Sequence, residues 1–103
     1  MREIFEIPLR PRAEEFQIEV AGKEWTIRTH WNAALQRWTI DIGRSASDWL
    51  IRNLSLVAGH NLLSPFSHLS FGFGLWLQVD GDSEGEATEE NLGTEGRLLA
   101  VIE

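Results

Sequence analysis

Apolar and polar residues alternate along much of the chain with a period of two, which is the pattern of a half-buried β-strand. The alternation is regular in three successive segments: residues 16–20, 25–31 and 38–42. It is weaker over residues 5–9, where Pro8 cannot donate a hydrogen bond to a neighbouring strand. We therefore expect three strands in succession, preceded by an edge strand that ends near Leu9.

The first hairpin joins residues 16–20 to residues 25–31. Gly22 followed by Lys23 suits a two-residue turn with glycine first. Closing the turn there pairs Val20 with Trp25, and the apolar faces of the two strands then coincide, as a half-buried hairpin requires.

The second hairpin is fixed by two tryptophans. Its apolar faces coincide only when Trp31 lies opposite Trp38, which leaves residues 33–36 as a four-residue loop. The same register places Arg28 opposite Asp41 on the polar face, where we expect an exposed ion pair worth about 0.2–1 kcal/mol.

The second half of the chain is less regular. Residues 47–57 fit either a strand buried on both faces or a helical stripe, and the flanking strands together with Gly59 favour a strand. An irregular apolar connection and two further strands follow: residues 58–73, 74–79 and 96–102. We predict one all-β domain, residues 1–103, folded as a small antiparallel barrel or sandwich of about seven strands with one irregular apolar loop.

The net charge of −7 comes entirely from the last quarter of the chain. Residues 1–79 hold eight acidic and eight basic residues, whereas residues 80–103 hold eight acidic residues and one Arg. Such a chain lacks the excess of Lys and Arg that polyanions require, so we expect no direct nucleic-acid binding. No window of 18 apolar residues predicts a membrane span, and the absence of Cys excludes disulfides and thiolate metal sites.

The three histidines match no catalytic or metal-binding motif. His30 lies on the polar face of a strand, and His60 and His68 lie in the irregular connection without His-x-His or His-x-x-x-His spacing. Ser64 has no Gly-x-Ser-x-Gly context that would place it beside a base. We expect no catalytic residue, no metal ligand and no cofactor; a small hydrolase that uses His60 or His68 is the third and weakest hypothesis.

An acidic segment follows residues 74–79. We define this acidic loop by four side chains: Asp80, Asp82, Glu84 and Glu86. Its first three carboxylates have the spacing of a calcium-binding loop, but Asn91 occupies the twelfth position, where a bidentate Glu is needed. An alternative function is therefore a stand-alone β-sandwich module that binds calcium through residues 80–91, or carbohydrate with the help of Trp76.

Trp76 and the irregular connection are the candidates for protein contact. Trp76 falls on the opposite face of its strand from Leu75 and Leu77, so we expect it to be exposed or to contact a partner. Residues 62–73 carry more apolar side chains than a small core needs, and they form either an interface or a lid over one end of a barrel. The interface candidates are Leu62, Leu63, Pro65, Phe66, Phe71, Phe73 and Trp76.

Short motifs follow one another in a distinctive order: Trp31-Asn32 before Trp38, Leu62-Leu63 before Pro65-Phe66, and Leu92-Gly93 before Arg97-Leu98. In this order and spacing, nearly the whole chain resembles the small baseplate plug family of contractile-tailed phages, cyanophages among them. Ala33-Ala34 departs from the more polar hairpin expected of that family.

The resemblance implies a non-enzymatic structural protein of a phage or prophage virion. It implies a location at the tail baseplate, synthesis in the host cytoplasm and an all-β fold. The expected partners are other tail proteins, namely the hub and the tube. The resemblance leaves open whether the protein forms a homo-oligomer in the assembled particle. The protein would plug or complete the hub end of the tail tube. The family has no catalytic residues that could be assigned to positions of this chain, and we expect no membrane partner.

Overall fold

The computed structural model describes residues 3–69, 71–79, 92–93 and 96–102. Seven strands lie within them: β1 (Glu3–Ile7), β2 (Glu14–Val20), β3 (Lys23–Asn32), β4 (Arg37–Ser45), β5 (Asp48–Ser55), β6 (Gly74–Val79) and β7 (Gly96–Ile102). They form a three-stranded sheet of order β1-β7-β6 and a four-stranded sheet of order β2-β3-β4-β5, with antiparallel pairing throughout. The prediction of an all-β fold is confirmed, and the described strands form two sheets that do not close into a barrel.

The inner faces of the two sheets share one hydrophobic core. On the four-stranded sheet, Ile40 and Ile42 are buried, and Leu75 and Leu98 are buried on the three-stranded sheet. All four belong to the same cluster. Full burial of each such side chain contributes about 1.5–3 kcal/mol, so this shared core holds the sheets together.

The β2–β3 hairpin differs from the predicted register. Its turn residues are Ala21 and Gly22, which both have positive φ, 55° and 79°. Positive φ at both central positions is the geometry of a type I′ turn. Val20 consequently pairs with Lys23, and the predicted pairing with Trp25 is wrong by two residues. A shift of two residues keeps every side chain on its face, so matching apolar faces cannot distinguish the two registers.

The predicted register of the β3–β4 hairpin is confirmed. Trp31 lies opposite Trp38, and their rings meet edge to face with centroids 5.6 Å apart. Residues 33–36 form the connecting loop. Arg28 lies opposite Asp41 as predicted, but this ion pair is not an exposed one, because Asp41 is only 6% exposed.

Residues 48–55 form a strand, as predicted, and not a helix. β5 lies at the edge of its sheet, and it is not buried on both faces, since Arg52 and Asn53 are exposed. Its pairing with β4 is interrupted by register shifts between Ile40 and Ser45. Asn53 has a positive φ of 58° within this irregular stretch.

The connection between β5 and β6 runs along the outer edge of β6. Ala58 forms a parallel bridge with Leu77, and the backbone N–H of Leu62 donates to the carbonyl of Leu75 at 2.8 Å. A 3₁₀-helical segment, Ser64–Leu69, follows; it is kinked at Phe66, and the sequence pattern did not predict it. Within the described part of the chain, no helix is long and apolar enough to cross a membrane.

Candidate functional site

The predicted interface side chains divide between core and surface. Three of them belong to the hydrophobic core: Leu62, Leu63 and Phe71. Phe66 and Phe73 are half-buried, whereas Pro65 and Trp76 are exposed. In the folded chain, Phe66, Phe73, Pro65 and Trp76 are therefore accessible to a partner. The buried side chains of Leu62, Leu63 and Phe71 form part of the core on which Phe66 and Phe73 pack.

Three aromatic rings attach the β5–β6 connection to β3. The ring centroid of Phe71 lies 4.9 Å from that of Trp25 and 5.8 Å from that of Phe73. Phe73 in turn meets Trp25 edge to face at 5.8 Å. Tilted and edge-to-face contacts at these distances are favourable for aromatic pairs, so the three rings hold the connection in place.

Asn61 fixes the backbone where this connection meets β6. Its Oδ1 atom accepts hydrogen bonds from the backbone N–H groups of Leu63 and Leu75, both at 3.0 Å. A Cβ atom on Gly74 would come within 2.9 Å of the Asn61 side chain, so glycine leaves room for it. The sequence pattern did not identify Asn61 as a residue that fixes the backbone. The available signal was its position two residues before Leu63, because an Asx-turn has this spacing.

A groove of about 320 Å³ opens beside these rings, and we call it the connection groove. Its lining residues are Asn61, Leu63, Ser64, Phe66, Phe71, Gly72 and Phe73. No lining residue is charged, and the Asn61 carbonyl oxygen already accepts two backbone hydrogen bonds. Three phenylalanine rings and the polar groups of Asn61 and Ser64 thus line the groove, so both apolar and polar surface is accessible in it.

The outer face of the four-stranded sheet is built around Arg28. Its Nε atom lies 3.5 Å from Asp41 Oδ2 and 3.7 Å from Glu15 Oε1. Its guanidinium carbon lies 4.4 Å from the centroid of the Trp49 ring. Gly43 permits this arrangement, because a Cβ atom there would collide with the backbone of residues 48–49. The two carboxylates balance the charge of Arg28 at ion-pair distance, but its buried Nε atom forms no hydrogen bond with the described residues.

Asp41 also holds the irregular part of β5. The backbone N–H of Asn53 donates to Asp41 Oδ1 at 2.8 Å, which anchors the residue with positive φ. Nε2 of His30 lies 3.1 Å from Asn53 Oδ1, within hydrogen-bond distance. His30 thus lies on the polar face, as predicted, and its contact reaches across β4 to β5.

The other candidate chemistry is placed only in part. His60 is exposed at the start of the connection, and the side chain of His68 lies outside the described part of the chain. The acidic loop also lies outside it: Asp80, Asp82, Glu84 and Glu86. Among the residues that are described, no group of three or more His, Asp or Glu side chains could hold a metal ion.

The described residues thus define a small two-sheet β protein with a groove lined in part by three phenylalanine rings. A family model described as Cyanophage baseplate Pam3 plug gp18 matches residues 4–103. Because the match spans almost the entire chain, the protein belongs to this family of phage baseplate plug proteins, and the resemblance found in its short motifs is confirmed. A comparison with curated proteins gives no match.

Proposed function

We propose that this chain is a non-enzymatic structural component of a phage or prophage tail baseplate, and that it plugs or completes the hub end of the tail tube. The observation that carries the proposal is the match to a baseplate plug family over residues 4–103. The protein is made in the host cytoplasm and incorporated into the virion, where its partners are other baseplate proteins, the hub and the tube among them.

The connection groove supports this proposal physically. A plug acts by packing against its neighbours, so it needs apolar anchors supported by a rigid core. Phe66 and Phe73 are half-buried anchors of this kind, and Pro65 is exposed beside them. The rings of Trp25 and Phe71 pack beneath them in the core.

Deletion of the gene, followed by complementation, tests the proposal. Particles without the protein should have an incomplete hub end by electron microscopy and should lose infectivity, and the wild-type gene should restore both. Complementation with Phe66→Asp should fail, because a charged side chain cannot occupy an apolar contact without a partner. Leu35→Asp is the matched control, since Leu35 is 52% exposed in the β3–β4 loop. Intact, infectious particles after deletion would contradict the proposal.

A further inference from the structure

β2 is an edge strand with a row of backbone groups that point away from its sheet. Its hairpin with β3 closes at the pair of Val20 with Lys23 across a two-residue turn, so this pair exchanges backbone hydrogen bonds. Every second pair then does the same, and the backbone groups of Glu15, Gln17 and Glu19 point outward. Among the described residues, no other backbone group donates to them or accepts from them.

The other three edges of the two sheets are less suited to a further strand. The connection covers the edge of β6, through the bridge of Ala58 to Leu77 and the hydrogen bond from Leu62 to Leu75. β5 is irregular, with register shifts and a positive φ at Asn53. β1 has five residues, whereas β2 pairs with β3 over seven residues without a break. β2 is therefore the longest regular edge in the described part of the chain, and such an edge is a template for another strand.

The inner face of β2 is only partly covered. Phe16 and Ile18 pack against the core but stay half-buried, whereas Ile27, opposite Phe16 on β3, is 3% exposed. A groove of about 290 Å³ opens at this edge. Its lining residues are Pro8, Leu9, Arg10, Glu14, Phe16 and Gln17. A strand added to β2 would place its own apolar side chains over Phe16 and Ile18 and complete their burial.

The outer face of the same edge carries negative charge that the sheet does not balance. Glu19 lies directly opposite Glu24, in a pair without backbone hydrogen bonds, which is the closer of the two pair types. Both side chains are exposed, and neither forms an ion pair within the described residues. Glu15 lies 3.7 Å from Arg28, but Arg28 also pairs with Asp41 at 3.5 Å. Like charges directly opposite each other destabilise a sheet, so a cation beside Glu19 would relieve the repulsion.

A second copy of β2 does not fit this edge. Antiparallel pairing that uses the three outward residues of both copies is centred on Gln17, and it sets Glu15 of one copy against Glu19 of the other. The glutamates therefore disfavour the chain's own edge, and they favour a strand that carries the opposite charge.

We propose that β2 receives an added strand from a neighbouring baseplate protein, namely an extended segment in which Lys or Arg alternates with apolar residues. Its backbone pairs with the outward groups of Glu15, Gln17 and Glu19. Its basic side chains lie beside the glutamates, and its apolar side chains cover Phe16 and Ile18. The proposal rests on the baseplate function proposed above, and it adds the local structure and the charge of one partner.

Hydrogen exchange in free protein and in purified tails is the first test. In free protein, the amides of Glu15, Gln17 and Glu19 should exchange rapidly. The amides of Phe16 and Ile18 bond to β3 and should exchange at least about tenfold more slowly. In tails, the three outward amides should slow about tenfold or more. Outward amides that are already protected in free protein, or that exchange equally fast in tails, would overturn the proposal. Absence of the polypeptide from the tails would instead contradict the proposed function.

Glu19→Lys separates assembly from folding. In the isolated protein it replaces the repulsion of Glu24 with an attraction, so the urea midpoint of unfolding should rise. When it is expressed together with the wild type during infection, its share of purified tails, measured by mass spectrometry, should fall about tenfold below its share in the cell. Glu3→Lys makes the same charge change on β1 and should fall less than about twofold. Equal incorporation of the two variants would overturn the proposal and leave the glutamates as a barrier to strand pairing.

Gln17→Pro tests the backbone contact. Proline removes the central outward N–H, and a strand edge tolerates it where that N–H faces solvent. The share of this variant in purified tails should fall about tenfold, with little change in the urea midpoint. Gln17→Ala keeps the N–H and is the control, which should be incorporated like the wild type. Equal incorporation of the proline and alanine variants would exclude backbone pairing at β2 and overturn the proposal.

Discussion

Arg28 connects three strands of the four-stranded sheet through its contacts with Glu15 on β2, Asp41 on β4 and Trp49 on β5. The hairpin register predicted the pairing with Asp41, because both residues lie on the polar face. The contact with Trp49 was not predictable in the same way, because it depends on the absence of a side chain at Gly43 and on the irregular pairing of β5.

Asp41→Ala should destabilise the protein by about 1–3 kcal/mol in urea unfolding, since it leaves the Asn53 N–H without its acceptor and removes a buried carboxylate from Arg28. Asp48→Ala is the control, because Asp48 also pairs with an arginine, Arg44 at 3.4 Å, but is exposed. Its loss should cost about 0–1 kcal/mol. Equal effects of the two substitutions would contradict a structural role for Asp41.

Asn61→Ala should cost about 1–3 kcal/mol, because it leaves the backbone N–H groups of Leu63 and Leu75 without an acceptor. Asn61→Asp should cost less, since an aspartate keeps an acceptor oxygen at the same position. Hydrogen exchange at the Leu75 amide should accelerate in the alanine variant and much less in the aspartate variant. Identical stability and exchange in both variants would show that these hydrogen bonds do not hold the connection.

Individual elements were predictable where the sequence pattern has a single solution. In the β3–β4 hairpin, the pairing of Trp31 with Trp38 selects one of the registers that match the apolar faces, because it brings the two large rings together. The bounds predicted for β6 and β7 agree with the structure. The β2–β3 register was not determined, because the two possible turns differ by two residues and preserve both faces. The exposure of Trp76 was predicted, whereas that of Ile4 on the same sheet was not, because it depends on the pairing of β1 with β7.

Ala21→Asn should stabilise the protein by about 1 kcal/mol in urea unfolding, because asparagine adopts positive φ at lower cost than alanine. Ala33→Asn, in the other hairpin loop, is the control and should give no such gain, since Ala33 does not have positive φ. A turn centred on Gly22 and Lys23 would leave Ala21 in the strand, and asparagine would then give no stabilisation. The substitution therefore tests the type I′ turn and its register directly.

At the scale of the whole molecule, the alternation of apolar and polar residues predicted the number of strands. It did not determine whether they form a barrel or a sandwich. The difference depends on which strands share hydrogen bonds across the molecule, such as β1 with β7, and a period of two carries no information about such non-local pairing. The candidate contact residues were predictable as an apolar excess in residues 62–73. Their division into core and surface depended on Asn61 and on the aromatic rings that hold the connection.

The central claim is that this two-sheet protein is a baseplate component at the hub end of the tail tube. Cryo-electron microscopy of purified tails tests it most directly, with mass spectrometry of the same sample to show that the polypeptide is present. We predict density at the hub end that fits the three- and four-stranded sheets, with the connection groove in contact with a neighbouring protein. Absence of the polypeptide from the tails, or density for this fold away from the baseplate, would contradict the account.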